Sequence, residues 1–275
     1  MAGRSNNSEE MPWLGPRRLA ARLLSRWARR RCFGWSDLAA ELDRCSAPVA
    51  FWWRDDDAVA ATPALDRLLA LRAELDLPLA LAVIPAKLED TLPKALEGAA
   101  AIGVLQHGWD HANHAPDGAQ PSEFPQTRVP GEVAAQLAEG RRRLEAGFAE
   151  RFIPALVPPF NTLDGATVGA VQASGLARLS LATDFAGLDL PSRNVHADLI
   201  DWRSGTAVPE ASAIRAIVLA LRLRRFGLAG AGRPIGIMTH HLVHDDAIWS
   251  LTRAVLTRLK THPNAVFPSL DRIFA

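Results

Sequence analysis

Residues 49–63 read VAFWWRDDDAVAATP, and this stretch decides the fold class. The mostly apolar run Val49–Arg54 is typical of a buried strand, and an acidic triplet follows it at once. Thr62 and Pro63 then provide the N-cap and first-turn chemistry of a helix that we predict over Pro63–Leu75. The stretch is therefore one β-α unit with carboxylates at the end of its strand.

The same unit repeats along the rest of the chain. Further strands are predicted at Leu77–Ile84, Ile102–Gln106, Ile153–Val157, Ala177–Ala182, Ala197–Ile200, Ile235–Thr239 and Val266–Pro268. Helices are predicted between them at Pro93–Ala100, Gly131–Phe148, Asp164–Ser174, Ala211–Phe226 and Asp246–Leu259. This α/β succession of about seven units favours a barrel over an open sheet, although periodicity alone leaves both open.

A basic helical segment precedes the repeated units. We predict two parts, a helical extension over residues 1–45 and a barrel domain over residues 46–275. Pro16–Arg31 has the pattern of an amphipathic helix rich in arginine, and Trp35–Asp43 that of a shorter helix. A basic helix of this kind can lie on an anionic membrane surface. Packing on the barrel with a solvated arginine face is the favoured interpretation.

Composition narrows the class of protein. With 48% hydrophobic and 22% charged residues, the 275-residue chain resembles an ordinary soluble globular protein. A net charge of +1 argues against a nucleic-acid partner. Cys32 and Cys45 are too few for a disulfide framework or a cysteine-based zinc site. Neither a membrane span nor a secretory signal is recognised, so we expect a cytoplasmic address.

Polar side chains gather where the predicted strands end, which is where β/α barrels place their chemistry. The first strand is followed by Asp55, Asp56 and Asp57, and the third by His107, Asp110, His111 and His114. The fourth is followed by Pro158–Asn161, the sixth by Asp201 and Trp202, and the seventh by His240, His241 and His244. Because the ends of parallel strands share one edge, these side chains predict a common site.

The spacing of two histidines predicts a metal site. His107 and His111 are four residues apart, so they share a face of a helix or a tight turn. Two imidazoles and one carboxylate form a facial triad that leaves positions open for water and substrate. Adjacent carboxylates also repel one another unless a cation is near. The alternative to a metal site is a polar surface turn exposed to solvent.

The paired histidines after the seventh strand predict one functional and one structural side chain. Neighbouring residues on a strand point to opposite faces, so only one of His240 and His241 is expected to face the site. His240 could protonate a leaving amine, whereas a structural role is favoured for His241.

The ordered motifs resemble those of the NodB-homology polysaccharide deacetylases, whose fold is an irregular β/α barrel of the polysaccharide deacetylase type. The segment Trp53–Asp57 resembles their Thr-Phe-Asp-Asp-Gly, and His107 with His111 matches their His-x-x-x-His. Their motifs Arg-x-Pro-Tyr-Gly, Asp-x-x-Asp-Trp and Leu-His correspond to Val157–Asn161, Asp198–Trp202 and Met238–His240. The fourth motif is matched in full; any one motif is loose, but the ordered set covers most of the chain and is fairly specific. The resemblance implies an irregular barrel of seven or eight β/α units.

The resemblance also implies roles. Asp55 would be the general base, and Asp56 would bind the metal with His107 and His111. His240 would be the general acid, the backbone N–H of Phe160 would hold the oxyanion, and Asp201 would orient its neighbours. A register one residue later makes Asp56 the base and Asp57 the ligand. The implied metal is Zn²⁺, with Co²⁺ or Ni²⁺ as alternatives. The substrate pocket would include Asp57, Trp109, Pro159, Asn161 and Trp202.

Two positions depart from the family pattern. Asp57 stands where the family has glycine, and Val157 stands where it has an arginine that orients the base. Arg54 or Arg203 could substitute for that arginine. With the predicted cytoplasmic address, the substrate expected is a small N-acylated sugar or related amide rather than a large polymer. The rival interpretations are a metal-dependent amidohydrolase that cleaves a non-sugar C–N bond and a non-catalytic carbohydrate-binding relative.

Overall fold

The computed structural model describes residues 16–182, 190–228 and 232–275. The strands are β1 (Val49–Ala58), β2 (Leu79–Val83), β3 (Ile102–His107), β4 (Phe152–Val157), β5 (Arg178–Leu179), β6 (Val195–Asp198), β7 (Ile200–Asp201), β8 (Thr206–Ala207), β9 (Ile235–Thr239) and β10 (Ala265–Val266). The helices are α1 (Pro16–Arg29), α2 (Trp35–Asp43), α3 (Pro63–Leu75), α4 (Thr91–Ala95), α5 (Pro130–Phe148), α6 (Val168–Ala173), α7 (Glu210–Arg225), α8 (Asp246–Lys260) and α9 (Leu270–Phe274).

The strands form one parallel sheet in the order β5-β4-β3-β2-β1-β9-β6, with β10 added beside the start of β1. Isolated parallel bridges join Leu179 to Ser192 and Ala182 to Val195, so the two edges of the sheet meet. The predicted irregular β/α barrel is therefore confirmed. β7 and β8 lie outside the sheet as an antiparallel hairpin, because the chain turns back after the sixth barrel strand.

Alternation along the strands creates two apolar layers. Outward-facing Phe51 and Trp53 belong to a large core that also contains buried residues of α3, α7 and α8. Inward-facing Trp52 packs with small side chains of the other strands, and its ring meets Phe274 of α9 edge to face at 5.3 Å. A Cβ at Gly236 would lie 2.6 Å from Trp52 Nε1, so glycine there lets the indole cross the barrel. α9 thus closes the end of the barrel opposite the strand ends that carry the polar clusters.

The two N-terminal helices pack against α7, as the pattern predicts. Trp27 lies under the Arg222 guanidinium at 4.6 Å, and the arginines of α1 from Arg22 onward are exposed. Glu41 is fully buried and accepts hydrogen bonds from Arg222 at 2.8 Å and Arg225 at 2.5 Å. We call these three residues the far cluster, because they lie outside the cleft described below. None of the described helices is long and apolar enough to span a bilayer.

Several predicted boundaries are wrong: β5 and α6 are shorter than predicted, and three other elements differ as follows. β1 continues to Ala58 because Asp55 and Ala58 still pair with β2, so the acidic triplet lies inside the strand. The helix predicted over Pro93–Ala100 is the shorter α4, which starts earlier. The strand predicted over Ala197–Ile200 is divided between β6 and the β7–β8 hairpin.

Candidate metal centre

A cleft of about 520 Å³ opens at the carboxyl ends of the barrel strands. Its walls come from the ends of β1, β3, β6 and β9 and from the loops after β3, β4 and β7. Of the residues predicted from sequence, those that line it are Asp56, Asp57, His107, His111, Phe160, Asn161, Trp202 and His240. Four strand ends that are remote in sequence therefore meet at one site, as the barrel requires.

A bulge at the end of β1 decides which aspartates face the cleft. Strand alternation points Asp56 into the barrel and Asp55 away from it. The same alternation would turn Asp57 outward, but the register with β2 shifts between Asp55 and Ala58, and Asp57 has a φ of 70°. Bulges re-aim side chains in this way. Asp56 and Asp57 consequently both line the cleft.

Asp57 forms a candidate metal-binding triad with the two histidines. Its Oδ1 lies 3.0 Å from His107 Nε2 and 3.3 Å from His111 Nε2, and one ligand atom from each residue lies within 4.8 Å of the others. His107 Nδ1 lies 2.9 Å from the Val157 carbonyl oxygen and donates to it, which leaves Nε2 as the nitrogen directed at Asp57 and the triad. The assignment of Asp56 to the triad is thus corrected to Asp57, the register that the sequence left as the alternative.

The electrostatics of the triad suit a cation. Although burial favours its neutral form, the hydrogen bond and charge of His107, with the charges of His240 and His111, lower the pKa of Asp57. Burial and the charge of His107 lower the pKa of His111, which keeps this imidazole neutral. One carboxylate and two imidazoles are ligands that Zn²⁺, Co²⁺ and Ni²⁺ accept. The residues present therefore fit a divalent metal ion.

Arg54 holds Asp56 from inside the barrel. The two side chains are on the same face of β1 and are almost completely buried. Arg54 Nε lies 2.8 Å from Asp56 Oδ1, and Nη2 donates to Asp56 Oδ2 at 2.8 Å. Nη2 also donates to Asn161 Oδ1 at 2.9 Å, and Nη1 donates to Ser180 Oγ at 2.7 Å. Position 157 is a valine and has no guanidinium to offer. Arg54, and not Arg203, brings a guanidinium to the cleft carboxylate of Asp56.

Asp55 lies outside the cleft, which corrects its assignment as general base. It is fully buried on the outer face of the strand, and Oδ2 accepts hydrogen bonds from Thr239 Oγ1 at 2.7 Å and from the His241 backbone N–H at 3.0 Å. Its Oδ1 lies 2.5 Å from His241 Nδ1. Burial opposes the charge on His241, but the charge of Asp55 and this hydrogen bond raise the pKa of His241. His241 is a structural partner of Asp55.

His240 faces the cleft beside Asp56. Its Nε2 lies 3.8 Å from Asp56 Oδ2, and its ring meets Trp202 edge to face at 4.6 Å. The Trp202 Nε1–H donates to Asp198 Oδ2 at 2.7 Å. Burial raises the pKa of Asp198, against the charge of His240. Asp198 lines the cleft. It belongs to the motif Asp198–Trp202, but it is not predicted from the sequence as a site residue.

Asp201, predicted as the orienting carboxylate, does not reach the cleft lining of the described residues. It lies in the β7–β8 hairpin, where Oδ1 accepts the Arg203 backbone N–H at 3.0 Å. Arg203 therefore meets Asp201 through its backbone and not as a replacement guanidinium. The hairpin explains the difference, because it turns Asp201 towards its own bend and leaves Asp198 at the end of the barrel strand.

The predicted pocket residues divide into two groups. Asn161 and Trp202 line the cleft, and the Phe160 ring lies 4.7 Å from that of His111. Trp109 instead lies under Arg143 at 4.8 Å, and Pro159 is buried against the turn at Gly108, where a Cβ would meet it at 2.6 Å. Gln120 and Pro121, which also line the cleft, lie on the long loop after β3 and carried no sequence signal.

Comparison with solved structures identifies the fold. A structure described as a polysaccharide deacetylase from Mycobacterium smegmatis superposes with a TM-score of 0.57 at 16% identity, over 84% of this chain and 90% of that one. The chain has the fold of the polysaccharide deacetylases. An acetyl xylan esterase of family 4 from Clostridium thermocellum, in complex with cobalt, matches with a TM-score of 0.52 at 13% identity, over 82% of this chain and 90% of that one.

The deacetylase fold also includes a relative described as a pseudoenzyme. This protein, from Bacillus anthracis and of carbohydrate esterase family 4, has a TM-score of 0.50 at 16% identity, over 78% of this chain and 62% of that one. No protein-family model and no curated protein sequence matches the chain. At these identities the structural likeness establishes the fold, and the chemistry has to be argued from the site.

Proposed function

We propose that the protein is a metal-dependent hydrolase that removes an acyl group, an N-acetyl group above all, from a small amino sugar or a related linear amide. The observation that carries the proposal is the Asp57, His107 and His111 triad beside a buried carboxylate and a cleft histidine. These are the parts that hydrolysis of an amide needs: a Lewis acid site, a base and an acid.

The metal site supports the choice of hydrolysis. A divalent ion held by Asp57, His107 and His111 would lower the pKa of water and polarise the acyl carbonyl, and Zn²⁺ is the metal we propose. The hydrogen bond from His107 to Val157 fixes the tautomer that this binding needs.

Asp56 is the general base in this proposal, in place of Asp55. Arg54 orients its carboxylate through two short contacts, so Asp56 is placed to accept a proton from the attacking water. The backbone N–H of Phe160 is proposed to stabilise the oxyanion, as the family resemblance implies.

His240 is the proposed general acid. It donates its proton to the leaving nitrogen, and contacts on two sides restrain it: Trp202 packs on its ring, and His244 Nε2 accepts its backbone N–H at 3.3 Å. The edge of Trp202 is in turn held by Asp198. These contacts support a fixed position for the acid, which proton transfer requires.

The shape of the cleft supports a small substrate. The cavity has a volume of about 520 Å³. One loop contributes Gln120 and Pro121 to its wall, and another loop contributes Trp202. Cavities of roughly 300–1,000 Å³ accommodate small molecules. Trp202 is 55% exposed, so its ring offers an apolar surface to a sugar. A soluble substrate is also what the predicted cytoplasmic address favours.

Acetate release from a substrate panel tests the proposal. The zinc-loaded protein is incubated with N-acetylglucosamine, its short β-1,4 oligomers, linear N-acetylamines and cyclic amides. We expect release from acetylated sugars, loss of release on chelation, and no release by the Asp56→Asn variant. Turnover of cyclic amides alone would favour the non-sugar amidohydrolase. Sugar binding without turnover would favour the non-catalytic alternative, to which the valine at position 157 points.

A further inference from the structure

The turn that joins the two metal-binding histidines has an unusual backbone. Gly108 and His111 both have a φ of 59°, which is the left-handed region. For a residue with a side chain this conformation costs about 1–2 kcal/mol. The strain brings His111 back over the end of β1, where its Nε2 lies 3.3 Å from Asp57 Oδ1. Such a conformation persists only when neighbouring groups hold it.

Glu123 is the group that holds this turn. Its carboxylate reaches from the loop between β3 and α5 and is fully buried. Oε1 accepts hydrogen bonds from the backbone N–H groups of Trp109 at 2.9 Å and Asp110 at 3.0 Å. A Cβ at position 108 would collide with Oε2, so the glycine also allows the close approach of the carboxylate.

The loop that carries Glu123 is itself anchored. Phe124 is fully buried and packs in an apolar cluster with residues of α5 and α6. Asn113 Oδ1 accepts the Ser122 backbone N–H at 3.0 Å, and the Thr162 hydroxyl donates to the Pro121 carbonyl at 2.7 Å. Glu123 therefore stands between fixed neighbours and can restrain the turn rather than follow it.

We propose that Glu123 is a positioning residue for metal binding, an inference that rests on the proposed metal site. It acts through the backbone: two amides bound to one oxygen keep Trp109 and Asp110 in place, and His111 stays directed at Asp57. Without the carboxylate, these buried N–H groups lose their acceptor and the left-handed turn relaxes. The His111 imidazole then moves away from Asp57, and affinity for the metal falls.

Zinc affinity, measured by competition with a chromophoric chelator, tests the proposal without a substrate. Loss of an outer partner of a metal ligand typically costs roughly 10–100-fold in affinity, and we expect a loss of this size in Glu123→Ala. Glu123→Gln keeps an acceptor oxygen and should bind zinc much as the unaltered protein does. Glu41→Ala is the matched control, because it removes a fully buried carboxylate of the far cluster. It should lower stability and leave zinc affinity unchanged.

Each result is decisive for the proposal. Equal zinc affinity in Glu123→Ala and the unaltered protein would overturn it, as would an equal loss in Glu41→Ala. If Glu123→Ala does not fold, Glu123→Asp takes its place, since the shorter side chain withdraws the acceptor and should also weaken binding. Failure of the unaltered protein to bind zinc would instead refute the proposed function, and this inference with it.

Discussion

Two buried carboxylate clusters of this molecule differ in what neutralises them. In the far cluster, Glu41 is bound by the guanidinium groups of Arg222 and Arg225, which carry a permanent charge. In the cleft, Asp57 faces the imidazoles of His107 and His111, whose charge depends on protonation. The first arrangement stabilises a helix contact. The second leaves a carboxylate and two nitrogen atoms directed at one point, which suits a metal ion.

Asp56 combines both arrangements. On the barrel side it has the guanidinium of Arg54, and on the cleft side it faces His240 across 3.8 Å. A permanently charged partner thus covers one side of the carboxylate, while the other side lines the cleft. In the proposed function, Asp57 accordingly binds the metal and Asp56 transfers the proton, whereas Glu41 stabilises the packing of α2 on α7.

The largest expected effect separates Asp57 from Asp56. Asp57→Asn should weaken zinc binding by more than the roughly 100-fold that loss of an outer partner costs, because it removes a ligand. Asp56→Asn should bind zinc normally and lose hydrolysis, and Glu41→Gln should keep both. Zinc titration and acetate release measure the two properties. If Asp57→Asn bound zinc normally and Asp56→Asn did not, the metal ligand would be Asp56, as the family resemblance first implied.

A second effect, on stability instead of zinc binding, is expected when Asp56 loses its permanent partner. Arg54→Met leaves a carboxylate buried without a counter-charge, which costs about 3–5 kcal/mol of unfolding free energy. Adding Asp56→Asn should recover most of that loss, since no charge is then left unpaired. Urea unfolding of the single and double variants gives the comparison. A double variant as unstable as Arg54→Met would show that Arg54 stabilises the barrel by packing instead.

The smallest effect concerns pH. Burial, with the charges of His240 and His241, lowers the pKa of His244 to about 4, although Asp55 opposes this. Between pH 4 and the ordinary value near 6.5, the unfolded chain binds a proton that the folded chain excludes. Stability should therefore rise with pH in this window, by at most about 1.4 kcal/mol per unit from this group.

Replacement of that histidine isolates its contribution. His244→Gln should flatten the rise in unfolding free energy between pH 4 and 6.5, as followed by urea unfolding at each pH. The arginines of the far cluster stay charged throughout, so Glu41→Gln should lower the curve without removing the slope that His244 causes. An unchanged slope in His244→Gln would assign the pH dependence to other groups.

Much of this site could be predicted from the sequence because its signals are local. The spacing of His107 and His111, and their place after a strand, predicted a pair of ligands that the structure brings to within 5.1 Å between ring centroids. The alternation at His240 and His241 correctly separated a cleft histidine from a buried one. The sequence predicts Arg54 only as one of two possible substitutes for the arginine missing at position 157. Nothing in the sequence says which carboxylate Arg54 contacts.

The sequence by itself determined the succession of β-α units and the strand ends where polar groups gather, since periodicity and strand termini depend on near neighbours. Only the tertiary structure decided which aspartates of the triplet line the cleft. The direction of Asp57 depends on a bulge, and that bulge is a shift in the pairing of β1 with β2. The position of Glu123 likewise depends on how a long loop folds back over the turn. Such contacts join residues that are distant in sequence, so no local pattern records them.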